Sequence, residues 1–273
     1  MYEPYWQLDS RPFEDTTDAR FQFSAPSQRG ALLKLRYALE NRRGAALLAG
    51  ESGLGKTYVA QVLLKQLGDS LSPRVHLVFP QMPADQLLTY LADQLTGQNS
   101  PLTATIDQSV RRIEQCLLTH AKAGRHPVIV IDEGHLLAGA KTLETIRLLM
   151  NFQHEGQALA SYLLVGQTGL ALAVQRLPQL DERMAVKCLL SRLSLEETRG
   201  YIQHRLTAAG SKRTIFDLSA SETIFQLTHG IPRRINRLCD LALLVGYGEE
   251  LRTLSASHIE SIHEELIGTA SAA

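Results

Sequence analysis

The chain has 273 residues, of which 44% are hydrophobic and 21% are charged, values typical of a globular protein with a sizeable buried core. Lysine plus arginine (28) equals aspartate plus glutamate (28), so net charge excludes a general attraction to nucleic acid or anionic membrane, and only a local basic patch remains open. The three cysteines stand far apart in apolar segments, which argues against a zinc site or a disulfide framework and predicts buried thiols.

Residues 1–27 are predicted to form an irregular lead-in that is punctuated by prolines. They mix acidic and aromatic side chains, and they lack the basic start and the apolar stretch of a signal peptide. No apolar run in the chain approaches the roughly 20 residues that a membrane helix needs. These features predict a cytoplasmic protein without direct membrane insertion.

Residues 28–192 alternate short apolar runs with segments of helical periodicity. Because helices of ten or more residues separate the expected strands, the pattern predicts parallel βαβ units with right-handed crossovers. The result is an α/β core with helices around a parallel sheet. Its strands are expected at 45–50, 74–80, 127–133, 161–167 and 186–190, and its helices at 28–41, 58–67, up to about 95, 106–123 and 143–152.

The strands stop after about Leu193, and four helices are expected beyond it. The segment SLEE (194–197) is a capping box, in which the Ser194 hydroxyl accepts from the amide of Glu197 and that carboxylate reaches back. Later helices are expected from SASE (219–222), from Pro232 and from SASHIESIHEEL (255–266). We therefore predict four parts, namely a lead-in (1–27), the α/β core (28–192), an all-helical lid (193–267) and a disordered tail (268–273).

The segment GESGLGKT fits the pattern G-x-x-x-x-G-K-[ST] and stands between a predicted strand and a predicted helix, the context of a P-loop. Its glycines allow successive backbone N–H groups to face a phosphate, and the helix start adds the positive end of its dipole. Lys56 is expected to reach the β- and γ-phosphates, and Thr57 to hold Mg²⁺. The residues that we expect to bind the nucleotide here are Gly50, Glu51, Ser52, Gly53, Leu54, Gly55, Lys56 and Thr57.

Two acids, Asp132 and Glu133, end the buried run VIVIDE. Asp132 is placed to hold the magnesium water shell, and Glu133 to orient and polarise the attacking water. The alternative is that both merely cap the next helix. His135 could touch the site, although a local hydrogen bond at a helix start is the preferred interpretation. Gln167 ends the fourth strand, between the loop and the acids, where its amide could contact the γ-phosphate or water; otherwise it is a polar turn residue.

Two arginines are candidates for binding the negative charge that develops on the phosphate during hydrolysis. Arg183 precedes the fifth strand and is predicted to complete a neighbouring subunit's site as an arginine finger, with a surface salt bridge to Asp181 or Glu182 as the alternative. Arg233 stands at a helix start, an unfavourable position for a cation unless an anion is present. We expect Arg233 to contact the γ-phosphate, with a solvated helix face as the alternative.

Five segments resemble, in order, the AAA+ ATPase domain of general secretion pathway protein A, the ExeA-like group: GESGLGKT, VIVIDEGH, LLVGQ, LSLEETRGYIQHRL and GIPRRINRLCDLAL. The stretch from Pro12 to Leu39 resembles that family's lead-in, so the likeness covers nearly the whole chain. It implies a P-loop NTPase fold with a five-stranded parallel sheet and a helical lid. It also implies ATP with Mg²⁺ and hydrolysis between subunits of a homo-oligomer such as a ring, and it keeps the roles argued above for each residue.

Three functions remain in competition. The leading hypothesis is an ATP-hydrolysing AAA+ motor or switch that acts on a protein client or an envelope or secretion assembly. The second is an ATP-dependent DNA-binding regulator, such as a transposition target-selection ATPase; the arginines at 233, 234 and 237 are its only support. The third is a nucleotide-binding scaffold without turnover.

Overall fold

The computed structural model describes residues 1–14, 16, 18–23, 25–99, 104–137 and 139–270. They form two compact units. The helical unit comprises Met1–Pro26, Gly53–Gly55 and Ser191–Ala273, and the sheet unit comprises Ser27–Ser52 and Lys56–Leu190. The domain boundaries expected from the sequence stay predictions, but the lead-in and the C-terminal helices are packed in one unit.

The sheet unit contains a five-stranded parallel sheet in the order β2-β3-β6-β1-β7. Apolar, largely β-branched or leucine-rich runs form its three central strands, which are buried along their whole length. Because parallel strands end at the same edge, the residues after β3, β6 and β1 are neighbours. The strands are β1 (Ala45–Ala49), β2 (Arg74–Leu77), β3 (Val128–Ile131), β4 (Gln153–His154), β5 (Gln157–Ala158), β6 (Ser161–Gly166) and β7 (Met184–Leu189), of which β4 and β5 form a separate hairpin.

The helices confirm the predicted α/β core with a C-terminal group of helices. They are α1 (Glu3–Trp6), α2 (Pro26–Glu40), α3 (Lys56–Gln66), α4 (Ala84–Thr96), α5 (Ile106–Lys122), α6 (Gly139–Leu149), α7 (Thr168–Gln175), α8 (Pro178–Asp181), α9 (Leu195–Ala208), α10 (Leu218–Thr228), α11 (Pro232–Gly248) and α12 (Ala256–Ala270). The capping box of α9 is present, with the Ser194 hydroxyl accepting from the Glu197 amide at 3.1 Å and the Glu197 carboxylate from the Ser194 amide at 2.9 Å.

Several boundaries differ from the prediction. β2 ends at Leu77 instead of residue 80, because a proline has no N–H to donate to a sheet and the chain leaves the sheet before Pro80. The N-cap of α10 is Asp217, whose carboxylate accepts from the Ala220 amide at 2.7 Å. α12 extends to Ala270, and 271–273 lie outside the described residues, so the disordered tail at 268–273 stays a prediction. α1, α7, α8 and the β4–β5 hairpin were not predicted.

All three cysteines lie within the described ranges and are free thiols. Cys188 and Cys239 are buried, as predicted, and Cys116 is only half-buried. In the parts of the chain that the structure describes, no helix has the length and apolar character that crossing a membrane requires.

The aromatic residues of the lead-in are part of the core of the helical unit. The side chain of Trp6 is fully buried, and its indole N–H donates to the carbonyl of Leu243 at 2.8 Å. Phe13 and Phe21 are buried in the same core, where Phe13 packs edge-to-face against Phe216. The described part of the lead-in is therefore a structural member of the helical unit.

A buried arginine binds this lead-in through hydrogen bonds. The guanidinium of Arg205 on α9 donates to the carbonyl oxygens of Pro12 and Glu14. It also lies 4.9 Å from the ring centre of Phe21 and 5.8 Å from that of Tyr201, within the range of cation–π attraction. Carbonyl oxygens and aromatic faces thus provide the polar partners that a buried cation needs.

A buried histidine forms a hydrogen bond between the starts of two neighbouring strands, β3 and β6. Nε2 of His126 lies 2.9 Å from the hydroxyl oxygen of Ser161, and both side chains are buried. Burial, with a smaller contribution from the charge of Arg42, lowers the pKa of His126 from 6.5 to about 4. His126 is therefore mostly neutral in the folded protein once the pH is above that value.

This shift makes the stability of the sheet unit depend on pH. Between pH 6.5 and 4 the unfolded chain binds a proton at His126 and the folded chain does not, so stability is fully present above 6.5 and falls as the pH is lowered. The loss should be about 3 kcal/mol, at about 1.4 kcal/mol per pKa unit. Urea unfolding of wild type and His126→Gln at pH 7.5 and 4 measures it. The two proteins should differ in pH dependence by that amount, and parallel pH profiles would contradict the assignment.

Candidate functional site

The loop after β1 contains the glycines that the sequence predicts for phosphate binding. The amide of Gly50 donates to the carbonyl of Gly166 at 3.3 Å, so the loop begins beside the end of β6. Gly53 and Gly55 have φ angles of +83° and +85°, in the left-handed region where a side chain is strained. A Cβ on Gly53 would also stand 3.0 Å from atoms of Ile231 and Arg233. The sequence requirement for glycine at these two positions is therefore a requirement of the backbone.

Lys56 and Thr57 open helix α3 directly after this loop. Lys56 is only 8% exposed, and its Nζ donates to the carbonyl of Glu51 at 2.7 Å, so its charge is held against the loop. The side chain of Thr57 is near Asp132 and helps to lower the pKa of that carboxylate. Of the other loop residues, Leu54 is buried, whereas Glu51 and Ser52 are exposed.

Asp132 follows β3 and is buried, with 2% of its surface exposed. Burial by itself would raise the pKa of Asp132, but the nearby side chains of His76 and Thr57 and the hydrogen bond from the Glu133 amide outweigh it and lower the pKa below the ordinary value. Nε2 of His76 lies 3.4 Å from one carboxylate oxygen, and the Glu133 amide donates to the other at 2.8 Å. The site therefore contains a buried carboxylate that is kept ionised.

His76 was not identified from the sequence. It stands on β2, whose pairing with β3 brings it beside Asp132. The signal available in the sequence was a polar residue at an inner position of the short strand RVHL, but its meaning depends on which strand neighbours β3.

Glu133 has an unusual backbone, with φ +49° and ψ +32°. A non-glycine residue in this left-handed region costs about 1–3 kcal/mol, and such strain occurs preferentially at functional positions. The Glu133 side chain is 45% exposed, in contrast to buried Asp132. The two adjacent acids therefore have different environments, one buried and hydrogen-bonded and the other open to solvent, which suits a metal-holding and a water-orienting role respectively.

Gln167 follows β6, which lies between β3 and β1, so the sheet order brings Gln167 to the position expected from the sequence. Its side-chain amide is 2.9 Å from Nε2 of His135, and its backbone amide donates to Nδ1 of the same ring at 3.4 Å. Nδ1 is also 3.4 Å from the carboxylate of Glu133. The preferred sequence interpretation of His135, a purely local hydrogen bond, is therefore wrong. The ring joins two predicted site residues.

The two predicted arginines are placed differently. Arg183 is half-buried in the sheet unit and donates to the carbonyl of Met150 at 3.1 Å and to the side chain of Asn151. The alternative salt-bridge partner Asp181 pairs with Lys187. Arg233 belongs to the helical unit, where its backbone amide donates to the carbonyl of Gly53 at 3.2 Å, and its side chain is exposed. The roles predicted for both side chains remain predictions.

The sequence matches proteins of known families. The model for an AAA domain matches residues 39–174. General secretion pathway protein A from Aeromonas hydrophila is 32% identical over 253 residues, which is 90% of this chain. The match covers 45% of that relative, so the chain spans less than half its length.

Solved structures share the fold at lower identity. Cdc6p from Pyrobaculum aerophilum matches with a TM-score of 0.75 and 15% identity over 94% of this chain and 71% of its own. Drosophila ORC bound to DNA matches with a TM-score of 0.73 and 16% identity over 97% of this chain and 66% of its own. With the phosphate loop, the paired acids and the sheet order in place, the chain belongs to the AAA+ family of P-loop ATPases, in the group related to general secretion pathway protein A.

Proposed function

We propose that this protein binds ATP with Mg²⁺ and hydrolyses it, and that turnover drives a protein partner. The observation that carries the proposal is the convergence of three strand ends in the sheet unit. β1 leads to Lys56 and Thr57, β3 to Asp132 and Glu133, and β6 to Gln167. The influence of the Thr57 side chain on the pKa of Asp132 links the first two groups.

The residues present fit a magnesium nucleotide. A hydroxyl and a nearby ionised carboxylate are the hard oxygen donors that Mg²⁺ prefers, and Mg²⁺ neutralises phosphate charge when bound. The left-handed glycines aim backbone N–H groups at an anion. Lys56, which now donates to the Glu51 carbonyl, can exchange that neutral acceptor for a charged phosphate oxygen, since charge-assisted hydrogen bonds are stronger.

Hydrolysis is assigned to Glu133 and Gln167. The exposed carboxylate of Glu133 can accept a hydrogen bond from water and orient it for attack. The amide of Gln167 can donate to the transferring phosphoryl group or to that water. Arg233 is proposed to contact the γ-phosphate, and Arg183 is proposed to act in the site of a neighbouring subunit of a homo-oligomer, where an arginine finger contributes about 10³–10⁵ in rate.

The proposed partner is a protein client, by analogy with the secretion role in the relative's name. DNA is the second candidate, because Arg233, Arg234 and Arg237 are all exposed on α11 and could contact phosphates. We rank it second because the net charge of the chain is zero.

ATP turnover per subunit, measured against protein concentration with and without duplex DNA, tests these assignments together. We expect wild type to show a rate that rises with concentration and does not respond to DNA. Arg183→Ala should lose the rise, whereas Arg176→Ala, which removes an exposed arginine just after α7, should keep it. Melting temperatures check that both variants are folded. A flat wild-type rate would contradict action across subunits, and strong DNA stimulation would favour the second candidate.

A further inference from the structure

One imidazole in the sheet unit contacts two residues that the proposed function uses. His135 lies on the single helical turn Gly134–Leu136 that follows the two acids. Its Nε2 is 2.9 Å from the side-chain nitrogen of Gln167, and its Nδ1 is 3.4 Å from both the Gln167 backbone nitrogen and the Glu133 carboxylate. The ring is largely enclosed, with 17% of its side chain exposed, so these contacts dominate its surroundings.

The hydrogen-bonding inventory of a neutral imidazole limits how these contacts can be satisfied, since one ring nitrogen donates and the other accepts. The backbone N–H of Gln167 can only donate, and it is directed at Nδ1. With Nδ1 as acceptor, the proton is on Nε2, which then donates to the carbonyl oxygen of the Gln167 side chain. A half-turn of the Gln167 side-chain amide exchanges the positions of its oxygen and nitrogen. The carbonyl oxygen can therefore take the place of the nitrogen in the same 2.9 Å contact. The NH₂ group of Gln167 is then left for other acceptors.

The other tautomer reverses every role. With the proton on Nδ1, the ring donates to the Glu133 carboxylate, and Nε2 accepts from the NH₂ group of Gln167. The Glu133 carboxylate then already accepts a hydrogen bond from the ring. The NH₂ group of Gln167 is also used, so only its carbonyl oxygen can face the phosphate, and two oxygens repel each other. Only the first tautomer therefore leaves Glu133 to accept from water and Gln167 to donate.

We propose that His135 is a positioning residue for hydrolysis, which in its Nε2–H tautomer orients the Gln167 amide with NH₂ available to phosphate and leaves the Glu133 carboxylate to water. This inference rests on the proposed function. His135 touches neither nucleotide nor water in this role and acts through Gln167 and Glu133. The ring carries one proton in either tautomer, and exchange with solvent interconverts the two forms.

Three substitutions of His135 distinguish a role in positioning Gln167 from a role in packing alone. His135→Ala should lower kcat about 10-fold, the value of one hydrogen bond of about 1.4 kcal/mol, and leave KM within about twofold. His135→Gln carries an amide N–H at the reach of Nε2 and should recover most of kcat. His135→Asn is shorter, reaches only the Nδ1 position and should not recover it. His154→Ala, at a histidine of β4 outside the site, is the matched control and should equal wild type.

A readout without nucleotide completes the test. Nitrogen NMR of the histidine rings should show the Nε2–H tautomer for His135 in wild type, and Gln167→Leu should raise the Nδ1–H population. If wild type hydrolyses ATP and His135→Ala has the same kcat, the inference about His135 is wrong and the proposed function stands. Absence of turnover in folded wild type overturns the proposed function, and an Nδ1–H ring in wild type then overturns this inference as well.

Discussion

Replacing Glu133 by glutamine is expected to reduce ATP turnover by about 10²–10⁴-fold, the usual contribution of a positioned general base. The amide keeps the size of the carboxylate but cannot polarise a water molecule in the same way. Because Glu133 is exposed and is not one of the proposed magnesium ligands, nucleotide affinity should stay within about threefold, a free-energy difference under about 1 kcal/mol. Phosphate release measures the first effect, and calorimetric titration with MgATP measures the second.

Two further variants serve as controls for this result. Glu114→Gln makes the same chemical change at an exposed position of α5 and should leave turnover unchanged. Lys56→Ala removes the buried cation of the phosphate loop and should abolish the heat of MgATP binding. Glu133→Gln turnover equal to wild type would show that water is activated elsewhere.

Replacing Trp6 by alanine is expected to destabilise the helical unit by about 3–5 kcal/mol, the range for truncating a large buried aromatic residue. The indole is fully buried and its N–H satisfies the carbonyl of Leu243, which would lose that partner. Hydrogen exchange of α9–α12 peptides measures the effect, and these amides should exchange faster in the variant. Far-ultraviolet circular dichroism follows unfolding, since the chain has one tryptophan and the variant has no indole fluorescence.

Tyr37→Ala is the control for this substitution, because Tyr37 on α2 is an aromatic residue with 53% of its surface exposed. It should change stability by less than about 0.5 kcal/mol, as is usual for surface positions. Trp6→Phe should fall between the two, since it keeps most of the apolar contact but leaves the Leu243 carbonyl without its donor. Unchanged exchange in Trp6→Ala would show that the lead-in is dispensable for the helical unit.

The sequence predicted those features that depend on short-range chemistry. The glycines at 53 and 55 are needed by a left-handed backbone, Ser194 and Glu197 cap a helix within one turn, and apolar runs mark buried strands. Gln167 could be placed because its position depends only on the end of a predicted strand and the order of the sheet. Each of these signals lies within a few residues.

Most of the features missed depend on contacts between distant residues, and one depends on an unusual turn. His76 meets Asp132 only after β2 pairs with β3, and His135 meets Gln167 across 32 positions of sequence. The β4–β5 hairpin turns through Glu155 and Gly156, both at positive φ, and glutamate is not a usual residue for such a turn. The lead-in lacks any helical or strand period, so its apolar side chains gave no sign of the helices that enclose them.

The position of Trp6 has a consequence for protein synthesis. Its hydrogen-bond partner Leu243 lies 237 residues further along the chain. At a translation rate of about 5–20 residues per second, the tryptophan is synthesised roughly 12–50 seconds before that partner. During this interval the lead-in presents aromatic surface with nothing to cover it, while the sheet unit between them can already fold. A chaperone that shields this nascent segment, or slow translation near residue 243, would therefore alter the yield of active protein without any change in its final stability.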